Sequence, residues 1–328
     1  MAPSRISGRR PGRRIYRFRP QKQQGFVRAN SLLWLALLII ATGLLTLSVG
    51  LAVHSVLNAR QNQTYANWRQ AAESDAGNGG HSSIRFEHMT MPDGSAITRE
   101  YKTAIGIAVP DAVTSSVFHN MSGSRLPGME ALRAKNTDMV AWLTIDRVLD
   151  LPVVYRDNTW YLTHDFEGNR NISGALFLDA AHPLNEKAQN LLIHGHNMKD
   201  GSMFAPLIHY QKNSYWKKHP FIQLTTLYEK EDYVVFAVLK VPDNSKNPDY
   251  INYFSHHTFS NDAEFEEYIR ELKKRSLFST HLSAEPEDAL LELSTCIGDS
   301  HLIVVARRLR KQESQATLME TINYFVDD

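Results

Sequence analysis

Eight short apolar segments, each bounded by turn-forming residues, follow one another between residues 139 and 309. They are rich in β-branched and aliphatic residues, which favours strands over helices. Short strands that recur between turns are typical of closed or nearly closed β-barrels. We therefore predict a mainly β fold, an eight-stranded barrel with a few helices. The predicted strands are residues 139–145, 151–155, 174–179, 190–196, 221–227, 233–241, 290–296 and 301–309.

Two helices are predicted around these strands. One is a short helix that begins at Pro127 and ends near Asn136. The second begins after Asn261, which forms a capping pattern with Glu264. It has the spacing of a helix that packs against a core, with no role in chemistry. Its apolar face is Phe265, Ile269 and Leu272, and its outer pairs are Glu266–Arg270 and Glu271–Arg275.

An uncharged apolar run from Ala29 to about Val53 precedes all of these elements, and residues 1–28 carry nine Lys and Arg but no acid. A helix needs roughly 20 apolar residues to cross a bilayer, whereas the apolar core of a signal peptide has about 7–15. No clear A-x-A cleavage site follows the run. We predict an uncleaved transmembrane helix over 29–54, with the basic segment in the cytoplasm and the rest exported.

The sequence between this helix and the barrel is less regular. Residues 55–84 are polar, end in a Gly- and Ser-rich stretch, and predict a linker or stalk. No structure is predicted for residues 85–125. The predicted organisation is a basic cytoplasmic segment (1–28), a transmembrane anchor (29–54), a linker with an N-terminal extension (55–125) and a folded domain (126–328). The formal net charge is +1 and the basic residues concentrate at the start, so we expect no nucleic-acid partner.

The chain has a single cysteine, Cys296, so it can form no intramolecular disulfide. A free cysteine is most often a buried apolar residue. Cys296, however, stands at the end of a predicted strand and before the turn 297–300. There a rigid backbone can present a partly exposed thiol, which suits a nucleophile.

His194 and His196 follow the apolar run 191–193 at alternate positions, so a strand would place them on one face. A cysteine and a histidine suffice for acyl transfer, because an imidazole can pair with the thiolate and later protonate a leaving amine. Two alternatives stay open. The pair could bind zinc with Asp200 and Cys296, although no familiar zinc spacing links them, or both histidines could be structural.

Several of these segments resemble the sortases, and among them class B. The matching segments are NTDMVAWLTID, LPVVYRDNTWYLTHDF, GALFLD, IHGHNMKDGSMFAPL and LSTC followed by a strand. The segments GHNM…MF and LSTC are the most specific. The basic N-terminus, the single anchor and the long helix before the last two strands also match.

The resemblance implies an eight-stranded barrel that works as a cysteine transpeptidase without a cofactor or a metal. Cys296 would attack the carbonyl carbon of a Thr in the C-terminal sorting signal of an exported protein. The amine of a cell-wall precursor or of a pilin lysine would then resolve the thioester. His196, which follows Gly195, matches the catalytic histidine of the family, and His194 is interpreted as structural. The implied location is the cell membrane of a Gram-positive bacterium, with the catalytic domain outside the cell.

One position departs from the family pattern. Sortases have an Arg at the start of the strand after the cysteine, and His301 stands there in this chain. Arg307 is roughly 20 Å farther along the strand, and Arg308 follows it. His301 could donate in place of the Arg, an Arg from another loop could reach the site, or the activity could be weak. The last possibility predicts an impaired sortase-like domain that binds peptides or supports pilus assembly.

Overall fold

The structure is a computed structural model that describes residues 24–77, 126–182 and 188–324. The chain divides into two units, Met1–His54 and Ser55–Asp328. A long helix, α1 (Gln24–Gly77), begins in the first unit and ends in the second. By length and composition, its segment Leu33–Ala72 could cross a membrane. From Leu33 to Val53 the large apolar side chains are exposed, as expected for a segment in contact with lipid.

The end of α1 corrects the prediction of a linker over residues 55–84. Residues 55–77 are helical, and Tyr65 of this segment is 2% exposed. Its ring meets those of Trp142 and Phe166 edge to face, with centroids 6.4 and 6.0 Å apart. The remainder of the predicted linker, and all of 85–125, lie outside the described residues.

The linker prediction was wrong because the apolar stripe of this segment is narrow. It consists of two aromatic residues and one small residue at helical spacing, surrounded by polar residues. Such a stripe produces little periodic signal over the length of a helix, yet it is wide enough to pack on a barrel. The residues are Tyr65, Trp68 and Ala72.

We expect Tyr65→Ala to lower the free energy of unfolding by about 3 kcal/mol or more, because it removes a buried ring and leaves a cavity. Denaturant unfolding of the full chain in detergent measures the change. Tyr65→Phe is the matched control: it keeps the ring and loses only the hydroxyl that accepts a hydrogen bond from Gln61 at 2.6 Å. If Tyr65→Ala unfolds at the same denaturant concentration as the wild type, residues 55–77 do not pack on the barrel.

Eight strands close into a barrel in the order β1-β2-β3-β4-β7-β8-β6-β5. The predicted fold class is therefore confirmed, and each predicted strand is present within a few residues of its expected ends. The strands are β1 (Met139–Ile145), β2 (Leu149–Val154), β3 (Leu176–Leu178), β4 (Asn190–His194), β5 (Phe221–Thr226), β6 (Lys230–Pro242), β7 (Leu290–Cys296) and β8 (Ser300–Arg308).

Two of the strand pairs are parallel, β2 with β3 and β4 with β7. The second pair matters most for the site. Its register places His194 beside Ser294, so the chain leaves both strands at the same end of the barrel. The next strand, β8, is antiparallel to β7, and Cys296 and His301 are directly paired across that hairpin.

The helices around the barrel include both predicted ones. The others are short. The cap is also confirmed, since the Asn261 side chain accepts from the Glu264 N–H at 3.0 Å. The predicted ion pair of Glu271 with Arg275 is present. The predicted pair of Glu266 with Arg270 is replaced, because Arg270 binds Glu267 instead. The helices are α2 (Pro127–Arg133), α3 (Asn213–Trp216), α4 (Asp262–Arg275) and α5 (Gln315–Tyr324), and 3-10 turns cover Trp160–Leu162, Ala205–Gln211 and Tyr253–Ser255.

Candidate active site

Cys296 is the last residue of β7 and is exposed, whereas the six residues before it in the strand are buried. Its carbonyl oxygen accepts a hydrogen bond from the Asn197 side chain at 3.0 Å. Partial burial, together with the negative charge of Asp243, raises the pKa of the Cys296 thiol above its ordinary value. At neutral pH this thiol therefore needs a nearby base to become a nucleophilic thiolate.

The three residues predicted from the sequence lie around one cavity. Cys296, His196 and His301 line an open cavity of about 240 Å³ at the end of the barrel. Its apolar wall is formed by Leu162, Phe177 and Phe254, and the last of these is 40% exposed. A thiol close to two imidazoles is chemically suited to acyl transfer through a thioester.

His301 is the hydrogen-bond partner of the thiol in the described part of the chain. Its Nε2 is 3.6 Å from Cys296 Sγ, and its Nδ1 is 2.9 Å from the Asp243 carboxylate. The direct pairing of Cys296 with His301 in the β7–β8 hairpin explains the contact.

His196 lies beyond the end of β4 and is held by a backbone group. Its Nε2 is 2.8 Å from the carbonyl oxygen of Leu162. Because a carbonyl only accepts, this nitrogen carries the hydrogen, and Nδ1 is the atom of the neutral ring that can take up a proton.

Gly195 allows the two neighbouring histidines to adopt their places. A Cβ at this position would lie 2.5 Å from Leu176 Cδ2 and 2.7 Å from Phe204 Cδ2, which is too close for any side chain. The Gly195 carbonyl also accepts from the Thr295 hydroxyl at 2.7 Å. These contacts join the end of β4 to the end of β7, next to the thiol.

His194 belongs to a polar cluster that forms part of the cavity wall. Its Nε2 is 2.8 Å from Asp179 Oδ2, and His257 is 3.8 Å from the other oxygen of that carboxylate. Burial acts to raise the pKa of Asp179, but hydrogen bonds from His194 and the Ala181 N–H, with the nearby imidazoles, outweigh it and lower the pKa to about 2. These contacts support a structural role for His194.

The cluster continues to His182, whose Nε2 accepts a hydrogen bond from the Leu192 N–H at 3.0 Å. Burial, with a smaller contribution from His257, lowers the pKa of His182 to about 3. The ring must be neutral to accept from a backbone N–H, so protonation of His182 destabilises the native fold.

The free energy of unfolding is expected to fall when the pH is lowered below about 6.5. In that range the unfolded chain binds a proton at residue 182 and the folded chain does not, which weakens the folded state by roughly 2 kcal/mol between about pH 6.5 and pH 5. Denaturant unfolding across this pH range measures the slope. His182→Gln, which can still accept from the Leu192 N–H, should make this slope shallower, whereas the exposed His209→Gln should leave it unchanged. An unchanged slope in His182→Gln would contradict the assignment.

His194 and His196 are not positioned to bind a zinc ion together. His194 and His196 bind Asp179 and the Leu162 carbonyl, and Asp200 binds the Ser202 hydroxyl. Within residues 24–77, 126–182 and 188–324, no three His, Cys, Asp or Glu side chains form a group that could hold a metal ion.

Three groups at the site were not predicted from the sequence: Asp243, Asn197 and the Leu162 carbonyl. Asp243 follows the end of β6 in a turn-rich segment, and the sequence shows no link between it and residue 301. Asn197 is part of the GHNM segment, so its position next to His196 was the available signal. A backbone carbonyl has no signature in a sequence.

The comparisons with known proteins point to one family. Sortase B of Listeria monocytogenes is 30% identical to the chain over 195 residues, which cover 59% of this chain and 75% of that protein. Sortase B of Staphylococcus aureus is 30% identical over 174 residues, 52% of this chain and 68% of that protein. The chain belongs to the sortase B family. A scan against models of protein families gives no match.

Solved structures of sortase B agree with this assignment. A Bacillus anthracis protein described as similar to sortase B superimposes with a TM-score of 0.52 and 28% identity, over 59% of this chain and 87% of that one. A Staphylococcus aureus sortase B–substrate complex gives a TM-score of 0.51 and 27% identity, over 58% and 88%.

The sortase-type arginine has no equivalent among the residues that line the cavity in the described part of the chain. Arg307 is buried and forms two hydrogen bonds with the Glu313 carboxylate, both 2.7 Å long. Arg308 is bound to Glu231. Both guanidinium groups are therefore occupied away from Cys296, which leaves His301 as the group at this position of the site.

Proposed function

We propose that this sortase B homologue is a membrane-anchored cysteine transpeptidase that cleaves a C-terminal sorting signal and joins the exported protein to an amine. The observation that carries the proposal is the placement of the single, exposed thiol of Cys296 in a cavity that also contains His196. The parallel pairing of β4 with β7 supports it, because this pairing brings both segments to one end of the barrel.

The proposed reaction has two halves. The Cys296 thiolate forms a bond to the carbonyl carbon of a Thr in the signal, and the peptide C–N bond breaks as the His196 imidazolium gives its proton to the leaving amine. An incoming amine then attacks the thioester carbon, the C–S bond breaks, and His196 takes a proton from the new amide nitrogen. The enzyme returns to its starting state, and atoms and charges balance without an added cofactor.

The proposed location is the cell membrane of a Gram-positive bacterium, with a single pass and the N-terminus in the cytoplasm. The apolar helix of the first unit and the excess of Lys and Arg before it support this orientation. The proposed partners are exported proteins with sorting signals, and a cell-wall precursor or a pilin that supplies the amine.

The test is to incubate the full chain in detergent with peptides that contain candidate sorting signals, and to measure its intact mass. A thioester adduct on Cys296 that disappears when an amine is added is the expected result. Cys296→Ala is the control and should give no adduct. If no peptide produces an adduct, and cells with Cys296→Ala anchor the same surface proteins as the wild type, the transpeptidase proposal fails.

A second candidate function is an impaired sortase-like domain that binds peptides or supports pilus assembly, and the absence of an arginine lining the described site favours it. His301→Arg separates the two. We expect transfer to fall by about 10²-fold, because an arginine cannot accept a proton. The rate of peptide transfer is the measurement, with the exposed His209→Arg as control. A large rise in rate would instead support the impaired domain.

A further inference from the structure

His301 is in β8, and each of the two strands beside β8 brings an ionisable group close to it. On one side it is paired with Cys296 of β7, and on the other with Val241 of β6. Asp243 follows two residues after Val241, and its N–H donates to the Asp299 carbonyl at 3.1 Å. The backbones of three adjacent strands therefore determine the spacing of the thiol, the imidazole and the carboxylate.

The two polar contacts of the His301 ring indicate which of its nitrogens can take up a proton. The Asp243 carboxylate, 2.9 Å from Nδ1, can only accept, so this ion-pair contact favours the tautomer in which Nδ1 carries the hydrogen. In the neutral ring Nε2 is then a bare acceptor, and it is 3.6 Å from Cys296 Sγ. The arrangement is an ordered series from carboxylate through imidazole to thiol.

We propose that His301 accepts the proton of the Cys296 thiol, and that Asp243 is a positioning residue that holds the ring for this transfer. The inference rests on the proposed function, in which Cys296 is the nucleophile. The S–H bond breaks, its electron pair stays on sulfur, and the proton bonds to Nε2. The resulting imidazolium is stabilised by Asp243 on one side and by the thiolate on the other.

This role differs from that of an arginine, which is always protonated and cannot accept a proton. His301 first generates the thiolate, and its new Nε2–H is afterwards a donor beside the reacting sulfur. The two imidazoles of the cavity then have separate tasks. His301 maintains the ionised thiol, and His196 transfers protons to and from the amines.

Asp243 acts on the thiol in two opposite ways, and this makes its role measurable. Directly, its negative charge raises the pKa of Cys296, in addition to the effect of partial burial. Through His301 it favours the imidazolium, whose positive charge lowers the pKa of the thiol. If the direct repulsion is the larger effect, removal of the carboxylate lowers the thiol pKa. If the effect through His301 is larger, removal raises it.

Other ionisable groups near the pair come from three further segments of the chain. The ring of Tyr253 is centred 6.2 Å from that of His301. Burial raises the pKa of this tyrosine well above its ordinary value, so it stays a neutral phenol at the pH values at which the thiol is alkylated. Across the cavity are His196 and the bound pair of His194 with Asp179. None of these groups is changed in the variants below.

The experiment measures the rate at which iodoacetamide alkylates the full chain in detergent as a function of pH. Because the chain has one cysteine, every adduct reports Cys296. The variants are Asp243→Asn, His301→Ala and the double variant, with Asp249→Asn, an exposed carboxylate of the same loop, as control. The assay needs no peptide, so its outcome is independent of the test for thioester formation.

We expect Asp243→Asn to slow alkylation at neutral pH by about tenfold, which corresponds to a rise of about one unit in the thiol pKa. In the His301→Ala background the same substitution should accelerate alkylation, because only the direct repulsion is then removed. Asp249→Asn should match the wild type. Faster alkylation in Asp243→Asn alone, or slowing of equal size with and without His301, would overturn the proposal.

Discussion

Cys296→Ala is expected to abolish peptide transfer, with a loss on the order of 10⁴-fold or more. Alanine has no atom that can form the thioester, and no second cysteine in the chain can replace the thiol. Because Cys296 is exposed at a strand end, the free energy of unfolding should change by only about 0.5 kcal/mol. The measurements are the rate of transfer to an amine acceptor and denaturant unfolding.

A chemical control separates loss of the thiol from a change in the fold. Wild-type chain alkylated at Cys296 should be as inactive as Cys296→Ala, and the same reagent should have no effect on the alanine variant. Substantial transfer by Cys296→Ala would mean that another group forms the covalent intermediate or that none forms.

His196→Gln is expected to lower the rate of transfer by about 10²- to 10⁴-fold. A glutamine side chain can still donate to the Leu162 carbonyl, so it keeps the hydrogen bond observed at 2.8 Å. It cannot deliver a proton to a leaving amine, so thioester formation should be the slow step. Single-turnover formation of the adduct measures this step directly.

Alkylation of His196→Gln by iodoacetamide provides the complementary measurement. If His301 generates the thiolate, this variant should react with iodoacetamide about as fast as the wild type while its thioester formation is slow. The exposed His209→Gln should change neither rate. Normal thioester formation in His196→Gln would remove this histidine from the reaction.

The strands were predicted well because their signal is local. The apolar segments predicted over 139–145 and 290–296 coincide with β1 and β7. The capped helix was predicted for the same reason, since the Asn261 cap and its apolar face lie within one short segment. The segment 55–77 was not, because its narrow stripe becomes a packing face only when the barrel is present.

The predicted site residues were found through short motifs, but their contacts depend on pairing between distant strands. Cys296 and His196 are 100 positions apart, and the parallel register of β4 with β7 determines that they share a cavity. The sequence contains no pattern from which this register can be predicted. The sequence indicated His301 as a departure from the family, and it contained no sign of the carboxylate at its Nδ1.

The sequence by itself determined the eight strands, the apolar helix, the single thiol, and His196 and His301 as candidate site residues. These features can be read from short segments, because periodicity, charge and motifs are local properties of a sequence. Only the tertiary structure decided that His301 is the neighbour of the thiol, that Asp243 is bound to His301, and that Arg307 and Arg308 are occupied elsewhere. The physical reason is that closure of a barrel brings together side chains from β6, β7 and β8, and the order of strands around the barrel is a property of the whole fold.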